Sequence, residues 1–125
     1  MTDEDRGFLT LVGASAPETE DGTARLVVDV DERHLNPAGT AHGGMLATLV
    51  DATMGAAVRS TVDGEVPATS QLTLTYLRPG RPGRLVVTAE VRKRGTNLTV
   101  VEAGVEQDGK PLVHALATFA LVGSD

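Results

Sequence analysis

Polar and apolar residues alternate along most of this chain with a period of two. From Thr23 to Asp31, Ala24, Leu26, Val28 and Val30 fall on one side, and Thr23, Arg25, Val27 and Asp29 on the other. That alternation marks a strand with one buried face. Thr69 to Leu77 repeats it, with Leu72, Leu74 and Tyr76 against Thr73 and Thr75. Arg84 to Arg92 sets Leu85, Val87, Ala89 and Val91 against Arg84, Thr88, Glu90 and Arg92. Asn97 to Gln107 and Leu112 to Val122 are two more long strands. Asp108-Gly109 joins them, a pair that accepts the positive φ of a tight hairpin turn. Phe8 to Ala14 reads as a weaker first strand.

One segment departs from this period. Gly44 to Arg59 is rich in Ala, Leu and Met, contains no Pro, and spaces Leu46, Leu49, Val50, Thr53 and Ala57 as a helix does. Ala47, Ala52, Ala56 and Val58 occupy its other faces, so the helix is apolar nearly all round and is expected to be buried. Asp63-Gly64 and Pro67 then end the helical region. The predicted order is two strands, one buried helix and four long strands. An antiparallel sheet curved around a central helix, an α+β architecture, satisfies it economically.

Composition narrows the setting. A chain of 125 residues has room for one domain, here residues 1–125, and shows no linker or repeat. Aromatic residues are scarce, so Val, Leu and Ala must fill the core, and burial of one face in an oligomer would add stability. The absence of cysteine excludes disulfides, thiolate nucleophiles and Cys-ligated zinc. The three histidines, His34, His42 and His114, show no ligand spacing, so neither metal nor cofactor is expected. No apolar run is long enough to span a membrane, and the acidic start MTDEDRG is unlike a signal peptide; the expected location is cytoplasmic. The net charge of −6 disfavours nucleic acid. Basic residues nevertheless gather at Arg78, Arg81, Arg84, Arg92, Lys93 and Arg94, either to protect a solvated strand edge or to hold one small anion.

Candidate chemistry concentrates at the helix. Asp51 is the one formal charge between His42 and Val58, and an unpaired carboxylate inside a helix core costs several kcal/mol. A lone buried Asp is most often satisfied by a nearby backbone group. The segment just upstream favours a functional reading instead. Asn36-Pro37-Ala38-Gly39-Thr40-Ala41-His42-Gly43-Gly44 leads directly into the helix start. Free N–H groups at a helix N-terminus carry the positive end of the dipole, and glycine lets a ligand approach them closely. Such a group suits an oxyanion. A tight turn and a structural histidine would explain these residues separately, but not their convergence with Asn36 and Asp51.

N-P-A-G-T-A-H-G-G followed by L-A-T-L-V-D-A resembles the hotdog-fold acyl-CoA thioesterases, in particular the phenylacetyl-CoA thioesterase (PaaI-like) branch. The likeness extends to Leu74-Thr75-Tyr76-Leu77-Arg78-Pro79 and to Arg94-Gly95. It implies that Asp51 attacks the thioester carbonyl or activates a water, that the Gly43 N–H polarises that carbonyl, and that Asn36 and His42 orient the reacting groups. Thr69 falls where relatives place a Ser or Thr that assists, with Ser70 as its neighbour. Tyr76, Arg78 and Arg81, together with Lys93, Arg94, Gly95, Thr96, Asn97 and Leu98, correspond to segments that hold the pantetheine arm and nucleotide of CoA. The implied assembly is a homodimer with shared sites, usually doubled to a tetramer. Menaquinone-pathway relatives carry Glu where this chain has Asp51. A non-catalytic acyl-CoA-binding module and a dehydratase or hydratase are the competing readings of the same fold.

Overall fold

Each alternating segment after residue 20 pairs with neighbours of the same kind, and the result is one six-stranded antiparallel sheet. The computed structural model describes residues 7–122, so the acidic start lies outside it. The elements are α1 (Phe8–Leu11), β1 (Glu18–Glu20), β2 (Thr23–Val30), α2 (Gly43–Arg59), β3 (Val66–Tyr76), β4 (Gly83–Arg94), β5 (Leu98–Gln107) and β6 (Lys110–Val122). Their spatial order is β1-β2-β4-β5-β6-β3. The Asp108-Gly109 turn has φ of 52° and 77°, the left-handed pair expected of a two-residue hairpin.

The central helix begins one residue before its predicted start and lies against the sheet. Leu46, Leu49, Val50, Thr53, Met54 and Ala57 are buried, facing Leu85, Val87, Val101, Val105, Ala115 and Phe119. Ala, Leu and Met favour the helical backbone, and the alanines bring it close to the strands. Burial is not complete all round: Gly44 is exposed, while Thr48, Asp51, Ala52 and Gly55 stay partly exposed along one stripe. The carboxylate of Asp51 is therefore on the helix's open side rather than in the core. This is the hotdog architecture.

Phe8 to Ala14 is not a strand. Phe8–Leu11 forms one helical turn, bracketed by Gly7 and Gly13 with φ of 93° and 79°. The spacing of Phe8, Leu9, Leu11 and Val12 fits a helical turn as well as a strand. The place beside β2 is filled instead by β1, which folds back through Asp21-Gly22 to pair Glu18 with Arg25. His34 ties α1 to the body. Its Nδ1 accepts from the Asp31 N–H at 3.0 Å, so its Nε2–H donates to the Val12 carbonyl at 2.6 Å. The His34 carbonyl in turn accepts the His42 N–H at 2.8 Å.

Candidate active site

The loop before α2 is held shut by its own side chains. Asn36 Oδ1 accepts from the N–H groups of Ala38 and Thr40 at 3.0 and 3.2 Å, and its Nδ2 donates to Thr40 Oγ1 at 3.0 Å. Asn36 thus acts on the loop rather than projecting from it. The Ala41 N–H donates to the Gly80 carbonyl at 2.9 Å, which ties this loop to the Arg78–Arg81 connection. His42 is the N-cap of α2, and its Nδ1 accepts the Gly44 N–H at 2.9 Å. Met45 and Leu46 donate to the His42 carbonyl at 3.0 and 3.1 Å. Of the first four N–H groups of the helix, only that of Gly43 has no acceptor among the described residues. An N–H left free at the positive end of a helix is suited to a developing negative charge.

Asp51 lies two turns further along the open stripe. Its Oδ1 accepts the Thr69 hydroxyl at 2.6 Å, and Oδ2 accepts no hydrogen bond among the described residues. One oxygen is fixed and the other is available. Ser70 points elsewhere, with its Oγ 2.6 Å from Thr118 Oγ1. The reason is a β-bulge between Thr69 and Gln71: Thr69 pairs with Phe119 and Leu72 with Ala117, both on the helix side.

The remaining expected contacts divide. The Tyr76 hydroxyl donates to the Gly43 carbonyl at 2.7 Å, so it supports the helix start, a tie the sequence did not reveal. Arg78 Nη1 donates to the Pro111 carbonyl at 2.9 Å, and the Arg81 N–H donates to Gln107 Oε1 at 2.9 Å. Arg94 Nη1 donates to the Gly95 carbonyl at 2.7 Å, and its Nη2 lies 3.7 Å from Glu65. Gly95 closes the turn to Leu98 so tightly that a Cβ there would collide with the Leu98 carbonyl oxygen. Lys93, Thr96, Asn97 and Leu98 are exposed around this turn. The two basic segments therefore sit at opposite ends of β3.

Two hollows flank these groups. A cleft of about 440 Å³ opens beside His42 and Gly44 and runs toward α1. A larger depression of about 680 Å³ lies on the sheet's outer face, where Arg92, Glu90, Glu102 and His114 pair with one another. Hydrogen bonds from His114 and Arg92 hold the Glu102 carboxyl below its ordinary range. The sheet separates that depression from Asp51. Among the described residues, no group of three or more His, Cys, Asp or Glu side chains is placed to hold a metal, and no helix is long and apolar enough to cross a membrane.

The relatives share this frame. Human acyl-coenzyme A thioesterase 13 is 39% identical over 115 residues, covering 90% of this chain and 79% of its own. A conserved protein of Pseudomonas aeruginosa superposes with a TM-score of 0.89 at 31% identity, covering 94% of both chains. A thioesterase protein of Streptococcus pneumoniae, solved with coenzyme A, superposes with a TM-score of 0.80 at 30% identity, covering 85% of this chain and 83% of its own. Residues 38–114 match the thioesterase superfamily, a span that includes Gly43, Asp51 and Thr69, and the chain belongs to that family.

Proposed function

We propose that this protein hydrolyses acyl-CoA thioesters, with Asp51 as the reacting carboxylate and the Gly43 N–H as the oxyanion donor. The observation that carries this reading is that one helix bears both a half-fixed carboxylate, Asp51, and an uncapped amide at its N-terminus, Gly43. Thr69 holds Asp51 Oδ1, so Oδ2 faces the substrate. That oxygen attacks the thioester carbonyl, or takes a proton from a water that does. In both routes the C–S bond breaks, one water is consumed, and the products are a carboxylic acid and the CoA thiol. The Gly43 N–H stabilises the oxygen that gains charge, a contribution of ~3 kcal/mol in acyl-transfer enzymes. His42 orients the helix start through Gly44, and Asn36 keeps the loop closed beneath it.

CoA recognition falls to the two basic segments, Tyr76 to Arg81 and Lys93 to Leu98. The active unit is a homodimer with shared sites, doubled to a tetramer, and a reducing cytoplasm suits a chain without cysteine. Asp51→Asn keeps the shape of the side chain and removes its charge. Thiol release from a panel of aryl and aliphatic CoA thioesters is expected to fall at least a hundredfold, on the order of 3 kcal/mol in the barrier. Near-normal turnover by Asp51→Asn would refute the mechanism.

A further inference from the structure

Gln107 ends β5 with a polar side chain, yet the residue is only 8% exposed. A buried amide must find partners, and this one finds its closest two on a single loop residue. Its Oε1 accepts the Arg81 N–H at 2.9 Å, and its Nε2 donates to the Arg81 carbonyl at 2.8 Å. Nε2 also donates to the Arg84 carbonyl at 3.4 Å. The side chain therefore pairs with the backbone of Arg81 as a neighbouring strand would. Among the described residues, the Arg81 N–H and carbonyl have no other partner. We propose that Gln107 is a positioning residue: it presents Arg81 to the nucleotide phosphates of CoA, and so sets the preference for CoA esters over thioesters that lack the nucleotide. This rests on the CoA recognition proposed above.

The first half of the same loop is secured independently. The Leu77 and Arg78 N–H groups donate to the Leu112 carbonyl at 2.7 and 3.3 Å, and the Gly80 carbonyl accepts the Ala41 N–H at 2.9 Å. Gly80 is packed closely enough that a Cβ there would come within 3.1 Å of Ala41 Cβ and 3.3 Å of Leu112 Cδ1. Ala41 directly precedes His42, so Gly80 stands beside the start of α2, and Arg81 is the next residue along the loop. Arg81 is exposed, and no carboxylate among the described residues forms a salt bridge with it. An unpaired guanidinium on a held peptide suits an incoming phosphate. Fixing one residue's backbone before the ligand arrives is worth about fivefold or more in affinity, because that freedom is not lost on binding. A clamp that merely completed the fold would leave substrate preference alone.

The test compares the native protein with full-length Gln107→Met, Arg81→Ala and the double variant, each checked for folding by circular dichroism. Each is given a CoA ester and the N-acetylcysteamine thioester of the same acyl group, and CoA itself is titrated in calorimetrically. Methionine keeps the volume of Gln107 and removes its amide. Arg81→Ala is expected to lower the ratio of kcat/KM for the CoA ester over the short thioester about tenfold, and Gln107→Met about fivefold. The double variant should fall no further than Arg81→Ala, because Gln107 acts through Arg81. The Kd for CoA should rise by the same factors. If the methionine variant does not fold, Gln107→Glu takes its place: its carboxylate accepts the Arg81 N–H but cannot donate to the carbonyl, and the ratio should again fall. An unchanged ratio in the folded variant, or effects that multiply in the double variant, would overturn the proposal. Native protein that treats the two thioesters alike and does not bind CoA would remove the CoA reading, and the role of Gln107 with it. Binding that follows these factors without hydrolysis of either ester would support the clamp and remove the thioesterase reading.

Discussion

Gly43 holds the first position of α2, and that place determines how its peptide can be probed. Proline is favoured at the first residue of a helix, because its missing N–H is not used by the helix. The residue before a proline must be extended, and His42 already is, with φ −61° and ψ 132°. Gly43→Pro therefore removes the proposed oxyanion donor and leaves the helix start in place. We expect hydrolysis to drop about a hundredfold, near 3 kcal/mol, with an unchanged circular dichroism spectrum. Gly43→Ala is the control: its Cβ would meet the Tyr76 ring at 3.4 Å, an ordinary contact, and the N–H remains, so most activity should survive. A folded Gly43→Pro with full turnover would remove Gly43 from the chemistry. The Thr69 and Ser70 pair shows what the sequence alone hides at this scale. Counting back by twos from Tyr76, Leu74 and Leu72 puts Ser70, not Thr69, toward the helix. The bulge reverses that, and a bulge leaves no mark on the alternation of so short a polar stretch. The family resemblance pointed to Thr69; the periodicity alone did not.

Elements with long, regular patterns were legible, and short ones were not. α2 and the five long strands follow from sustained periods, because one face of each must be buried along its whole length. α1 and β1 are too short for a period to distinguish helix from strand, and their positions depend on contacts far along the chain, such as His34 to Val12. The role of β3 was only half visible. Its alternation is plain, but not that it supports both halves of the site, with Thr69 on Asp51 and Tyr76 on Gly43. If Tyr76 chiefly positions the helix start, Tyr76→Phe loses one hydrogen bond, worth about 1 kcal/mol. We expect kcat to fall roughly three- to tenfold with KM for acyl-CoA within about twofold. If Tyr76 chiefly grips the pantetheine arm, KM should rise while kcat is kept. Steady-state kinetics on one CoA ester separates the two.

At the scale of the whole molecule, the proposed site needs two chains. Gly43 and Asp51 lie about 12 Å apart along α2, at 1.5 Å per residue, whereas donor and carboxylate must both come near 3 Å of one carbonyl. The sheet offers the remedy. Among the described residues β3 pairs only with β6, and its other edge presents free backbone groups along most of Val66–Tyr76. A two-fold axis near Leu72 and Thr73 would lay β3 antiparallel to a second copy, with Thr69 opposite the partner subunit's Tyr76. Because Asp51 rests on Thr69 and Gly43 on Tyr76, the same operation would set Asp51 beside the partner subunit's Gly43. It would also bring the Arg94 end of one β3 toward the Arg78 end of the other, so that basic segments separated within a chain would converge on one CoA. Mixing tests this directly. Equal amounts of Asp51→Asn and Gly43→Pro chains, each inactive alone, should form mixed dimers in about half of all cases. Every mixed dimer has one site with both groups intact, so activity should recover to about a quarter of wild type. Subunit exchange is verified by native mass spectrometry of the mixture. Exchange without recovered hydrolysis would mean that each chain builds its site alone, and the pairing across β3 would no longer account for catalysis.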